Sequence, residues 1–248
     1  MDGGLTRTPF GSIKPAMSDP RVVRLDRLAL RFAPRPWPFA VERRVEIDGY
    51  FVSLRRERPS LWNGRVLLAY DLDVADQVLR ANFFETDFAS FLAWRDWNFP
   101  DHSVTNCFTM AAIGCSDGAF LLGVMGDHTS NPGHVYFPSG TPDPADIAGD
   151  GVDFERSVWR ETEEETGLSR DDLDAEAGWH GVLAGSRVAV MKILRSRQDA
   201  ATTRARILTH LARDEDPELS GIRVVRSIRD FDAQMPDFVT AFLRHMWK

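Results

Sequence analysis

The sequence predicts an α+β fold around a mixed sheet, and three observations lead there. Two apolar runs, TNCFTMAAIG and AFLLGVMG, flank Ser116-Asp117-Gly118, a turn that joins antiparallel strands. Beyond residue 153 helical and strand-like patterns alternate in the order helix, strand, helix, strand, helix. Before residue 104 a second group of strand-like runs carries helices of its own. Strands mixed with helices in this order, without a repeating β-α unit, give a mixed sheet.

The elements follow in order. Residues 1–20 are rich in Gly, Pro and Ser and lack the apolar run of a signal peptide, so they read as a flexible tail. Residues 21–103 read as a small N-terminal α/β subdomain packed on the remainder. In it VVRLDRLALRF alternates as a strand, and a helix is expected after Pro38 with Val41, Val45 and Phe51 on its apolar face. Asn63-Gly64 marks a turn before RVLLAYDLDV, whose hairpin partner is QVLRANFFE, with Asp71, Asp73 and Asp76 near the bend. TDFASFLAWRDW is a short helix capped by Thr86 or Asp87, with Phe88, Phe91 and Leu92 on one side.

Residues 104–248 form the second unit. After the Ser116-Asp117-Gly118 hairpin, GHVYFPSG is a short strand and turn, and residues 141–153 a polar loop. A helix begins at Phe154 behind the cap Asp153 and stops at Gly167, a natural C-terminal glycine. WHGVLAGSRVAVMKILRS is a strand region. DAATTRARILTHLARD is a helix with Ile207 and Leu211 together, SGIRVVRSI a strand, and MPDFVTAFLRHMW a closing helix with Phe238, Phe242 and Met246 spaced by four.

Composition narrows the function. A net charge of -7 argues against a nucleic-acid binder, though a bound metal can reverse the local sign for a small anion. Cys107 and Cys115 do not form a CxxC pair and read as free thiols of a reducing compartment. No apolar run approaches the length of a membrane span. The expectation is a cytoplasmic protein with no membrane and no nucleic-acid partner; oligomeric state is open.

The sharpest feature is RETEEETGL, residues 160–168. Like charges one helical turn apart repel, so the crowding of Glu161, Glu163, Glu164 and Glu165 asks for a reason. A glutamate-rich helix is most often a solvated face. Here Glu161, Glu164 and Glu165 fall within an arc of roughly 100° while Glu163 points elsewhere, and Arg160 lies beside Glu164. Three carboxylates on one arc suit a hard divalent cation, which takes oxygen ligands, and Mg²⁺ pairs a few carboxylates with phosphate oxygens and water.

RETEEETGL resembles the second half of the Nudix box, Gly-x5-Glu-x7-Arg-Glu-U-x-Glu-Glu-x-Gly-U with U aliphatic, and YFPSGTPD resembles the strand and turn before it. The resemblance spans residues 104–248. It implies a Nudix αβα sandwich and metal-dependent (Mg²⁺ or Mn²⁺) hydrolysis of a nucleoside diphosphate linked to another group. It implies metal ligands at Glu161, Glu164 and Glu165, with a carbonyl of Ser139 or Gly140, and a further base from a later loop, for which Glu218 is the choice over Glu215 and Asp216. Glu161 acts either as ligand or on the attacking water. The departures are Thr162 at an aliphatic position and a Gly140 to Arg160 spacing six residues too long. Counting back from Arg160 puts Val152 where the first glutamate belongs.

PSLWNGRVLLA and ETDFASFLAW are similar to a Nudix branch that cleaves UDP-glucose to UMP and a sugar phosphate. That similarity implies a nucleotide-sugar substrate, with Asn63, Asp87 and Arg95 as candidates for its hydroxyls. Arg160 reads as structural. His128, His134 and His180 read as surface histidines, and Trp179 and Phe137 as base-stacking or core aromatics. A second class stays open, a non-catalytic Nudix-like module that binds a nucleotide or partner.

Overall fold

The computed structural model describes residues 19–248; all but the last two residues of the expected tail lie outside that range. The N-terminal part runs β1 (Arg21–Leu25), β2 (Arg27–Phe32), α1 (Pro38–Glu42), α2 (Arg44–Glu57), β3 (Arg65–Ala75), β4 (Val78–Asp87) and α3 (Phe88–Asp96). Then follow β5 (Asn106–Gly114), β6 (Phe120–Met125), β7 (Val135–Tyr136), β8 (Ser139–Gly140), β9 (Ile147–Ala148), β10 (Gly151–Val152) and α4 (Phe154–Thr166). The chain closes with β11 (Leu173–Ala175), β12 (Trp179–Ala184), β13 (Arg187–Ser196), α5 (Ala200–Leu211), β14 (Leu219–Val225) and α6 (Asp237–Met246).

Two sheets result. The larger has the path β1-β12-β13-β5-β6-β14, with β11, β7 and β8 attached to β13, β6 and β5. β13 and β5 run parallel and the other pairs are antiparallel, so the sheet is mixed as expected. β5 is buried along its whole length, which suits its near-continuous apolar run. Its side chains alternate between faces. Thr109 meets Ser157 of α4, with 3.4 Å between their hydroxyls, and Phe108, on the other face, packs edge-on against Phe238 of α6, ring centres 5.6 Å apart. The sheet is therefore sandwiched between α4 and α6.

The smaller sheet is β3-β4-β2-β10-β9. The β3–β4 hairpin turns on Asp76 and Gln77, both at positive φ, and a bulge at Asp71 bends β3. Asp87 caps α3, accepting from the Ser90 amide at 2.9 Å and pairing with Arg44 of α2 at 3.0 Å. Beneath it lies an aromatic core that includes Trp37, Phe84 and Trp94.

The sheets do not divide the chain at residue 104. β1 belongs to the larger sheet, paired with β12, and the chain crosses to the smaller one at Asp26. In return β10 pairs with β2 at Gly151 and Arg31. Much of the expected polar loop 141–153 is therefore structured: a turn of 3-10 helix at Pro144–Asp146, then the β9–β10 hairpin. The helix after Pro38 forms, in two pieces, but its inward face is Phe39, Ile47, Phe51 and Leu54, whereas Val41 and Val45 are exposed. Their spacing fits a helix either way; which face is covered depends on where the sheet lies.

His180 is another correction. It is not a surface residue: it lies 8 % exposed on β12 against the rings of Phe242 and His245. Burial, then the charge of Arg24 and the neighbouring His245, pull its pKa down to about 4 against an ordinary value of 6.5. The unfolded chain thus takes up this proton at a higher pH than the folded chain does, and stability falls as pH drops from about 6.5 to about 4. Urea denaturation at a series of pH values is expected to show a loss of up to about 3 kcal/mol from this residue, absent in His180→Leu. Identical slopes for the two proteins would remove His180 as the cause.

Candidate active site

The site is built where α4 crosses the end of β8. Asp153 accepts from the Arg156 amide at 2.9 Å and so starts α4, and Gly167 ends it at φ 66°. A Cβ at Gly167 would stand 2.6 Å from the His210 ring, so glycine is required there on two counts. Thr162, which departs from the aliphatic position, is fully buried and returns its hydroxyl to the Val158 carbonyl at 2.6 Å. It fills an apolar slot with its methyl group and leaves no donor unpaired.

Along α4 the glutamates separate by exposure. Glu165 is buried; its Oε1 accepts from the Ser139 amide at 3.2 Å, and its Oε2 is buried with no partner. Glu161 lies over Gly140, where a Cβ would overlap its carboxyl group. Glu164 is 60 % exposed and turns to Arg160 at 3.4 Å. Glu163 is exposed. From the other side Glu218, just before β14, reaches the same cavity as Glu161, Ser139 and Gly140.

These carboxyls raise one another. Burial is the main cause in each case. It lifts Glu161 to about 7 against the opposing pull of Arg160, with Glu164 and Glu218 adding to it. It raises Glu165 well above the carboxylate range, helped by the charges of Glu161 and Glu218. Glu218, though an exposed residue by surface area, is shifted up as well, with His128 opposing. Among the described residues no three His, Cys, Asp or Glu side chains stand together as a ready metal cage. The donors present nevertheless fit a hard cation: carboxylates close enough to repel, one of them with an unpaired buried oxygen. Glu161 and Glu165 are the inner pair, and Glu164 would have to turn inward to join them.

Arg160 organises the approach. It contacts Glu161 at 2.8 Å, Asp146 at 3.2 Å, Glu164 at 3.4 Å and Asp143 at 3.8 Å. Asp146 has a fully buried side chain and also accepts from the Asp143 amide at 3.1 Å. Burial pushes Asp146 up, while the Asp143 amide and Arg160 pull it down. This corrects the reading that put Val152 at the first acidic position. Counting forward from Gly140 through five residues reaches Asp146. The surplus is then residues 147–152, the β9–β10 hairpin. The signal was in the sequence and was missed because the count ran back from Arg160 across the insertion.

The cavity has a volume of about 780 Å³. The N-terminal part contributes Trp62, Phe91 and Arg95 to its wall. His128 and His134, expected as surface residues, line it as well. Asn63 and Asp87 do not: Asn63 accepts from the Ala89 amide at 2.8 Å and Asp87 caps α3. Phe137 and Trp179 are buried, Trp179 beneath Lys192. Glu215 is exposed on its loop, whereas Asp216 reaches the cavity wall. Arg187, Asn106 and Tyr136, which the sequence did not single out, belong to the wall too.

No family model matches the chain, and no curated protein matches its sequence. Among solved structures it is similar to a Nudix hydrolase from Nitrosomonas europaea, at 17 % identity and a TM-score of 0.40, over 58 % of this chain and 88 % of that one. It is similar to the M. Smegmatis Nudix hydrolase RenU, at 15 % identity and a TM-score of 0.37, over 57 % of this chain and 82 % of that one. A C. elegans Ap4A hydrolase in a binary complex is similar at 17 % identity and a TM-score of 0.37, over 56 % and 98 %. Each likeness is partial, and the functional reading below rests on the side chains of the site.

The Arg160–Asp146 contact makes a test. Removing one partner of a buried ion pair strands the other, so Arg160→Ala and Asp146→Ala are each expected to lose about 2–3 kcal/mol in urea denaturation. The double variant should lose clearly less than the sum, giving a coupling energy of at least about 1 kcal/mol. Strict additivity would show that the two side chains do not act as a pair.

Proposed function

We propose that the chain is a metal-dependent diphosphatase of the Nudix type, acting on a nucleoside diphosphate joined to another group. The observation that carries the reading is the floor of the cavity. Glu161, Ser139, Gly140 and Glu218 line it, and next to them Glu165 is buried, accepting from the Ser139 amide, with its second carboxylate oxygen unpaired among the described residues. The forward count from Gly140 to Asp146, bonded to Arg160, adds the remaining part of the box.

Glu161 and Glu165 would hold Mg²⁺ or Mn²⁺, with Glu164, Glu218 or a carbonyl of Ser139 or Gly140 completing the shell. Such a cation would neutralise the diphosphate and make water a better nucleophile. In the reaction water adds to one phosphorus, the bridging P–O bond breaks, and the departing phosphate oxygen keeps the electron pair. The proton lost by water needs a nearby base. Glu218, on the cavity wall, is the acceptor when Glu161 serves as a ligand, and Glu161 is the alternative if it acts on the water instead. Arg160 limits the repulsion between Glu161 and Glu164 without entering the reaction.

The finer reading is a nucleotide-sugar, with UDP-glucose as the first compound to test. Its support is the PSLWNG similarity and a wall built from N-terminal residues, which a substrate larger than a bare nucleotide would need. Of the three residues suggested for sugar hydroxyls only Arg95 lines the cavity. The exposed position of Glu164 is the one observation favouring a non-catalytic binding module.

Release of phosphate products from UDP-glucose, ADP-ribose and a dinucleoside polyphosphate, with Mg²⁺ and with chelator, separates these readings. Chelator-sensitive turnover is expected, and its absence on every compound favours the binding module. Glu161→Gln and Glu165→Gln should each lower kcat at least about 100-fold with the fold intact, because each removes a charged ligand of the cation. Glu163→Gln should leave it within about twofold, as a surface substitution. A tenfold preference in kcat/KM for ADP-ribose or the dinucleotide, about 1.4 kcal/mol of transition-state binding, would remove the nucleotide-sugar.

A further inference from the structure

One end of the cavity is left unused by the proposed chemistry. Asn106 opens β5 and is 8 % exposed, yet its Oδ1 is buried without a hydrogen-bond partner. The residue lines the cavity. Native proteins pair nearly all such acceptors, which makes Asn106 a candidate for contact with a ligand. Arg187 is the neighbour of Asn106 in the parallel β5–β13 register and lines the cavity too. Asp237 holds its guanidinium at 3.3 Å, and the same group lies 5.3 Å from the centre of the Phe238 ring. Phe108, two residues along β5 and hence on the face of Asn106, packs edge-on to Phe238. Phe91 of α3 lines the same space. Flat apolar walls, one unpaired acceptor and one tethered cation suit a neutral planar heterocycle better than a sugar or a second phosphate.

We infer that Asn106 and Arg187 form a nucleobase subsite that selects a uracil edge, an N–H flanked by two carbonyl oxygens. With the amide rotated toward the cavity, Asn106 Oδ1 accepts from the ring N–H. The Asn106 amide N–H and the Arg187 guanidinium donate to the two carbonyls. Cytosine and adenine present a ring-nitrogen lone pair where uracil has the N–H, so Oδ1 would face another acceptor. Guanine has the N–H but an amino group on one flank, which sets donor against donor. The subsite rests on the diphosphatase reading only in placing the phosphates at the Glu161 end.

The test is calorimetric titration of UDP, CDP, ADP and GDP, with Mg²⁺, into wild type, Asn106→Leu and Asn106→Asp. Wild type is expected to bind UDP at least roughly tenfold tighter than the other three, and Asn106→Leu to lose roughly 10–100-fold for UDP with little change for the rest. Asn106→Asp keeps the side-chain shape and replaces the amide donor by an acceptor. It is expected to lose the UDP preference as well, and it decides the matter if the leucine variant does not fold. Equal affinities in wild type, no binding of any of the four, or a uniform loss across all four in a folded variant overturns the subsite. UDP-glucose hydrolysis is followed on the same preparations. Discrimination with no hydrolysis of UDP-glucose or of the other compounds named above sinks the diphosphatase reading and leaves the subsite standing; hydrolysis with a uniform binding loss overturns the subsite and leaves the diphosphatase reading standing.

Discussion

One guanidinium holds the site together. Arg160 stands among Asp143, Asp146, Glu161 and Glu164, and its surroundings keep its own pKa raised. Without it, burial and mutual repulsion would set the carboxyls of α4 against the aspartates of the preceding turn. With it, the 3-10 turn at Pro144–Asp146 is fastened to the middle of α4. The β9–β10 hairpin grows directly from that turn, and β10 joins the second sheet at Arg31. The cluster is thus one of the links between the two sheets, beside the Ala69–Thr105 bridge and the Leu67 amide that donates to the Pro142 carbonyl. The Arg160–Asp146 pair at its centre is shielded, at 27 % and 0 % exposed, so solvent screening does not erase it, whereas Glu164 at 60 % is open to solvent.

The cavity is lined from both sheets, by Val66 of β3 in one and by Asn106, Phe108 and Met125 of β5 and β6 in the other. β5 and β6 pair directly only at Ile113–Gly114, and β8 takes up the edge of β5 at Thr109 and Met110. Glu161 can lie over β8 because residue 140 has no side chain. The N-terminal part contributes an aromatic wall as well as strands. The arrangement is costly: it sets Glu161 and Glu165 against one another and, among the described residues, leaves polar atoms of Asn106 and Glu165 unpaired. Such costs concentrate at functional sites, where a ligand relieves them.

Much of this was legible in the residues. The Ser116-Asp117-Gly118 hairpin, the caps Asp87, Asp153 and Gly167, and the buried faces of α5 and α6 all follow from local chemistry. A cap or a tight turn is decided by a few neighbouring residues, so a short window contains the cause. The glutamate helix was legible for the same reason, as was the mixed character of the sheet. The position of Asp146 was legible too, given a count in the forward direction. What misled was the insertion: a length change displaces every position counted across it, although Arg160 and Asp146 still meet in space.

By itself the sequence determined most helices and strands, the caps that bound α3 and α4, and that Glu161, Glu164 and Glu165 share an arc of one helix. Those are consequences of backbone periodicity and capping, which act over a turn or two. It did not show the β1–β2 break or the β9–β10 hairpin. Only the tertiary structure decided that Val41 and Val45 face solvent, that His180 is buried, that β1 and β10 exchange sheets, and that Glu165 is enclosed while Glu164 is not. It alone brought Glu218, Asn106 and Arg187 into one cavity with Glu161. The reason is that burial and electrostatic coupling depend on what packs opposite a residue, and in this chain the opposing element is often a hundred residues away.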